Sequence, residues 1–221
     1  MKLILSAILP SLVLGQIPLL STNRTSFSFV LNANDVENGV CAPLTVLYAR
    51  GTGEPGNIGD TVGPNMFRTF SNALNGNVAL QGVNYPANSQ GNVVRGALGA
   101  PSMTALAKLA KEQCPDTKLA LTGYSQGAFV THYALNNGSL PSSDVDAIAV
   151  FGDPEYNTNG TFGSVPENLV AEYCNEGDYV CQQGIGNITW DHIAYMSNGA
   201  AQDAVQFILN VTGLADTAVS S

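Results

Sequence analysis

A serine hydroxyl becomes a useful nucleophile only beside a base, and this chain of 221 residues carries two imidazoles, His132 and His192. The serine in the most suitable frame is Ser125, within Gly123-Tyr124-Ser125-Gln126-Gly127. A GxSxG string alone is a weak signal, since about 0.2 matches arise by chance at this glycine and serine content. Its setting is stronger, because an apolar strand precedes it and a helix follows, as a nucleophile elbow requires. Positions two before and two after the serine must be nearly free of side chain at so sharp a turn. The Gln126 N–H then sits at a helix start, where it can face a developing oxyanion. The bland alternative is a glycine-rich turn without chemistry.

His132 lies seven residues after Ser125 on the same expected helix, about 10 Å along its axis, and is out of reach of the elbow hydroxyl. His192, in a turn-rich stretch after the last strand, is therefore the available base. The acid that orients it falls between serine and histidine in the chain order of α/β-hydrolases. The candidates are Asp144, Asp146, Asp153, Glu155, Glu167, Glu172, Glu176, Asp178 and Asp191. Asp178 stands out because its loop follows a strand and is bracketed by Cys174 and Cys181. Asp153 is the runner-up, and Asp191 is too close to His192 along the chain.

The elements that must position these residues alternate. Apolar runs read as strands at Leu44–Ala49, 78–85, 118–122, Ala147–Phe151 and 169–173. Amphipathic periodicity predicts helices over 61–74, from an N-cap at Ser102 through Ala110, over Gln126–Asn136 and over 199–211. That alternation implies a parallel sheet covered on both faces, with chemistry at the carboxyl ends of its strands.

Bulk properties bound the class. Residues are 45% hydrophobic and 11% charged, with a net charge of -9. This fits one compact domain and disfavours nucleic acid and anionic membranes as partners. Residues 1–15 have the form of a secretory leader ending at Gly15, too short to span a bilayer comfortably. Residues 16–38 read as a pro-segment or polar lead-in, 39–213 as the catalytic domain and 214–221 as a flexible tail. Cys41, Cys114, Cys174 and Cys181 allow three pairings in an exported chain. The favoured one is Cys41–Cys114 with Cys174–Cys181, the latter bracketing a short loop; a zinc site of Cys174, Cys181 and His192 is the competing reading. Sequons stand at Asn23, Asn137, Asn159, Asn187 and Asn210.

Four motifs, taken in order, resemble the cutinase family of serine esterases over about Val40 to Leu209. They are Ala49-Arg50-Gly51-Thr52-Gly53-Glu54, Gly123-Tyr124-Ser125-Gln126-Gly127-Ala128, Cys174-Asn175-Glu176-Gly177-Asp178-Tyr179-Val180-Cys181, and Asp191-His192-Ile193-Ala194-Tyr195. The resemblance implies a minimal α/β-hydrolase: a three-layer α/β/α sandwich with a central five-stranded parallel sheet and no large lid. It implies Ser125 as nucleophile, Asp178 as orienting acid, His192 as base and an oxyanion hole at Thr52 and Gln126, with no metal or cofactor. Many relatives carry serine where Thr52 stands; threonine keeps the hydroxyl on a stiffer rotamer. Two apolar flaps flank the nucleophile in that family. Here they correspond to residues 89–96, rather polar but with Val93 and Val94, and 182–190, with Ile185, Ile188 and Trp190. A glycan at Asn187 would hinder pressing the second flap onto a solid. The expected activity is therefore on short- to medium-chain acyl esters, with cutin or another polyester as a further substrate, by a secreted monomer that needs no nucleic-acid or integral-membrane partner. The alternatives are an acetylxylan esterase, which usually carries more cysteines, and a non-catalytic surface-binding or elicitor protein.

Overall fold

The computed structural model describes residues 31–137, 140–158, 160–184 and 186–215. The expected leader, residues 16–30, the tail from 216, Ile185, Asn23 and Asn159 lie outside them.

Five parallel strands form one sheet: β1 (Leu44–Ala49), β2 (Ala79–Gly82), β3 (Lys118–Tyr124), β4 (Ala147–Phe151) and β5 (Val170–Tyr173), in the order β2-β1-β3-β4-β5. Side chains alternate along each strand, so one apolar run serves two cores. Val46, Tyr48 and Leu80 face α1 (Gly63–Ala73) and the C-terminal helix Ala200–Val211, where Met66, Phe67, Phe70, Val205 and Ile208 meet them. Leu47, Leu121, Ile148 and Val150 face the opposite layer, α3 (Ala100–Gln113) and α4 (Gln126–Asn136), through Met103, Ala107, Val130 and Ala134. Both faces are buried, as an all-parallel sheet demands, and the three-layer expectation holds.

Several boundaries differ from the sequence reading. The packed domain begins before residue 39. Ala33 and Val36 are buried, and the buried Asn57 side chain holds Ala33 through its N–H at 2.9 Å and its carbonyl at 3.2 Å. Leu214 and Ala215 pack on the core at the other end, inside the expected tail. β2 is shorter than 78–85 and ends at Gly82, where Asn57 comes so close that a Cβ would stand 2.3 Å from its Oδ1. Ser102 does not cap α3: the helix starts at Ala100 with proline in its first turn, where a missing N–H costs nothing. Three short helices were not legible as such: α2 (Ser89–Val93), α5 (Tyr179–Gln183) and α6 (Trp190–Ile193). The C-terminal helix is thus α7.

Both expected disulfides are present, Cys41–Cys114 and Cys174–Cys181. Cys174 and Cys181 are bonded to each other, which leaves no thiolate for the zinc reading. The first bond closes a loop across 73 residues and ties the entry of β1 to the end of α3. Replacing Cys41 and Cys114 together by serine is expected to lower stability by about 2–5 kcal/mol, read as a lower denaturant midpoint; an unchanged midpoint would contradict this.

Candidate functional site

The carboxyl ends of β1, β3, β4 and β5 open on one groove of about 590 Å³, whose walls include Thr52, Tyr124, Ser125, Phe129, Val180 and His192. Ser125 sits at its floor in a backbone conformation that side chains rarely adopt, φ 55° and ψ −116°. The surrounding glycines show why the turn is possible. A Cβ on Gly123 would lie 2.4 Å from the Gly127 carbonyl oxygen, and one on Gly127 would lie 1.9 Å from that of Ala49. The strand-to-helix turn can close on itself and on β1 only with hydrogens at both positions. The Ser125 N–H donates to the Phe151 carbonyl at 2.9 Å, which fastens the strained residue to β4.

His192 is buried in the single turn of α6, not in an open loop, with Thr189 as its N-cap. Its Nδ1 lies 2.9 Å from each oxygen of Asp178. A carboxylate only accepts, so Nδ1 carries the hydrogen, and in the neutral ring Nε2 carries the lone pair. That Nε2 is buried and has no hydrogen-bond partner among the described residues. Tyr124, the residue before Ser125, packs its ring 5.0 Å from the imidazole and donates its hydroxyl to the His192 carbonyl at 2.8 Å. Gly152, after β4, lies beneath; a Cβ there would stand 2.7 Å from His192 Cε1.

Asp178 has no exposed surface, yet its oxygens are satisfied. Besides His192, Oδ1 accepts the Val180 N–H at 2.9 Å and Oδ2 the Tyr195 hydroxyl at 2.7 Å. The runner-up acid, Asp153, is committed elsewhere: it pairs with His132 Nε2 at 2.7 Å. The two histidines thus have one buried carboxylate each, and the structure joins Asp178, not Asp153, to the imidazole beside Ser125.

The Gln126 side chain reaches Thr52, a contact that sequence reasoning missed. Its buried amide nitrogen donates to Thr52 Oγ1 at 2.9 Å, the Asn88 carbonyl at 2.7 Å and Asn92 Oδ1 at 2.9 Å. Asn92 Nδ2 also donates to Thr52 Oγ1, at 3.0 Å. The loop carrying Thr52 is locked from behind. Glu54 accepts the Gly51 N–H at 2.6 Å and that of Thr61 at 2.8 Å, while Arg50 donates to the Glu54 and Tyr85 carbonyls.

The flap residues are only partly where they were expected. Ile188 lines the groove. Val93 and Val94 instead line a neighbouring depression, because the short α2 turns them away and presents Arg95 to the groove. Trp190 projects to solvent, 84% exposed, at the start of α6. The apolar lining comes from Phe129, Pro154, Val180 and Ile193, scattered positions without a common motif.

Burial pushes the Asp178 carboxyl up, but the bonds from His192 and Tyr195, the His192 charge and the Val180 N–H together hold it below its ordinary value. Stability linked to such a depressed value is present above the unfolded-state value of about 3.9 and is lost as pH falls through the folded one. Tyr195→Phe removes a donor and raises the folded value. Acid unfolding of that variant is expected to begin at higher pH, with stability near neutrality lower by about 1.5–3 kcal/mol. Coincident acid-unfolding curves by circular dichroism would contradict this.

The cutinase family model matches residues 40–212. The chain is 40% identical to Cutinase 4 of Emericella nidulans over 185 residues, 82% of this chain and 78% of that one. It is 37% identical to a cutinase of Blumeria hordei, over 85% of this chain and 81% of the relative. Among solved structures it is similar to Trichoderma reesei cutinase in complex with a C11Y4 phosphonate inhibitor: TM-score 0.72, 34% identity, 81% of this chain and 79% of that one. An acetylxylan esterase structure at 22% identity and TM-score 0.60 shares the fold. The chain belongs to the cutinase family, and is an ester-hydrolysing enzyme of the cutinase type.

Proposed function

We propose that Ser125, His192 and Asp178 form the catalytic triad of this esterase, with Thr52 and Gln126 as its oxyanion hole. The observation that carries the reading is His192 itself. One ring nitrogen is held by a buried carboxylate, and the other is buried without a hydrogen-bond partner among the described residues, in a groove shared with Ser125. His192 takes the Ser125 proton as the hydroxyl attacks an ester carbonyl. Asp178 fixes the tautomer and stabilises the imidazolium that forms.

The tetrahedral oxygen faces the N–H groups of Thr52 and Gln126. Gln126 is the first residue of α4, so its N–H has no acceptor within the helix and lies at the positive end of the dipole. Thr52 Oγ1 already accepts from Gln126 and Asn92, which leaves its hydrogen to contact Asn92 Oδ1 at 3.3 Å or to turn toward the oxyanion. His192 then protonates the departing alcohol, and water repeats the sequence to release the acid.

The enzyme acts outside the cell after loss of residues 1–15. Two disulfides and exposed sequon asparagines at 137, 187 and 210 support an exported chain. Ile188, exposed at the groove, gives it an apolar edge for an ester-rich surface, while a glycan on Asn187 restricts close contact with a solid. Short to medium acyl esters are the preferred substrates.

Ser125→Ala is expected to lower kcat by about 10⁴-fold or more with the fold intact; retained turnover in purified variant would refute the assignment. Wild-type kcat/KM is expected to be higher on butyrate than on palmitate esters, and a clear palmitate preference would overturn the chain-length reading. Purified natural protein is expected to carry a sugar on Asn187 by peptide mass mapping, and an unmodified peptide would remove the restriction on solids.

A further inference from the structure

We propose that the Arg95–Glu155 ion pair is a partition that sets the acyl length accepted beside Ser125. The inference rests on the esterase reading above and names its specificity determinant. Two cavities meet at Arg95. One is the groove over Ser125; the other is a depression of about 380 Å³ lined by Val93, Val94, Tyr133 and Glu155, among others. Arg95 is the lining residue the two share. Its guanidinium donates to Glu155 Oε1 at 2.7 Å, joining segments 60 residues apart. It also lies 5.0 Å from the centre of the Phe129 ring. Phe129 is one turn of α4 beyond Ser125, about 6 Å along the axis. The charged pair therefore stands at the boundary between the depression and the part of the groove lined by Phe129 and Pro154, the acyl arm of this proposal.

The two halves of the wall are held unequally. The Glu155 N–H donates to Asp153 Oδ1 at 2.9 Å, and Asp153 Oδ2 pairs with buried His132 Nε2 at 2.7 Å. His132 Nδ1 faces the Thr161 carbonyl at 2.9 Å. Acceptors face both ring nitrogens, an arrangement that favours the protonated ring. Burial opposes that charge, and the Asp153 bond and charge outweigh it. Glu155 thus stands on a buried ionic anchor. The Arg95 side chain is 59% exposed, with its guanidinium at the surface against Glu155 and the Phe129 ring. An alkyl chain that reaches the wall must strip water from a guanidinium and break its pair, without a polar partner in return. A half-exposed pair is a weak barrier, so the discrimination it confers is modest, and salt should erode it.

The test uses p-nitrophenyl esters from butyrate to laurate, with kcat/KM measured for wild type, Arg95→Ala and Glu155→Gln. Arg95→Ala joins the two cavities and is expected to raise the laurate-to-butyrate ratio by about three- to fivefold, equivalent to no more than about 1 kcal/mol. Glu155→Gln is expected to raise it less, and it carries the test alone if Arg95→Ala fails to fold. Raising salt to molar concentration should lift the ratio in wild type and leave Arg95→Ala unmoved. If wild type hydrolyses butyrate and neither substitution shifts the ratio, the partition is overturned and the esterase reading stands. If wild type hydrolyses none of the esters, both fall. A shift seen only when alcohol length is varied also overturns the proposal, because the arm would then hold the leaving group.

Discussion

The hydrogen-bonded pair of Asp178 and His192 is the constraint around which the rest of the molecule is arranged. Removing a carboxylate from water entirely is costly unless its lone pairs are satisfied. Here the satisfaction comes from three parts of the chain: His192 in α6, Tyr195 just beyond it and the Val180 N–H at the start of α5. Cys174–Cys181 closes the seven-residue span that carries Asp178. Tyr195 also accepts the Asn175 N–H at 2.9 Å, so the same hydroxyl holds the acid and its loop. Burial first, then the hydrogen bond to Asp178 and its charge, push the Tyr195 hydroxyl well above its ordinary pKa against the opposing Asn175 N–H, and it remains a donor.

The other half of the site is built from steric exclusion. Gly123, Gly127 and Gly152 allow backbone to approach backbone or imidazole at distances no Cβ would tolerate. The strain at Ser125 is held by the Phe151 carbonyl on β4 and by α4, which follows at once. Both supporting elements belong to the doubly covered core, so the geometry at Ser125 is coupled to the stability of the whole sheet. The Gln126 amide continues this outward, linking the start of α4 to Thr52 and to the α2 segment. The groove thus has a floor fastened to the sheet and polar, hydrogen-bonded shoulders.

Much of this was legible in the sequence, and the reasons for the rest are physical. Long apolar runs bounded by glycine and proline gave β1, β3 and β4 within a residue or two, because a strand buried on both faces has little freedom of composition. His192 followed from elimination, since His132 lies on the wrong part of α4. Asp178 followed from its place in a stapled loop. Short helices such as α2, α5 and α6 have too few residues for a period to show. Their boundaries depend on caps such as Asn88, Asp178 and Thr189. Orientation on such a turn is unreadable from residue type, so nothing in the sequence says that, of the expected flap residues, Val93 lines a neighbouring depression and Trp190 projects to solvent. The partners of Gln126, the burial of Ala33 and the second pair of His132 with Asp153 are long-range contacts with no local signature.

The central claim is that one hydroxyl, on the strained turn after β3, is activated by one imidazole oriented by Asp178. Its most direct test is covalent labelling with an organophosphonate, followed by intact mass and peptide mapping. The account predicts a single adduct, on Ser125, that forms as esterase activity disappears. An active enzyme that resists the reagent, or an adduct on any other residue, would contradict it.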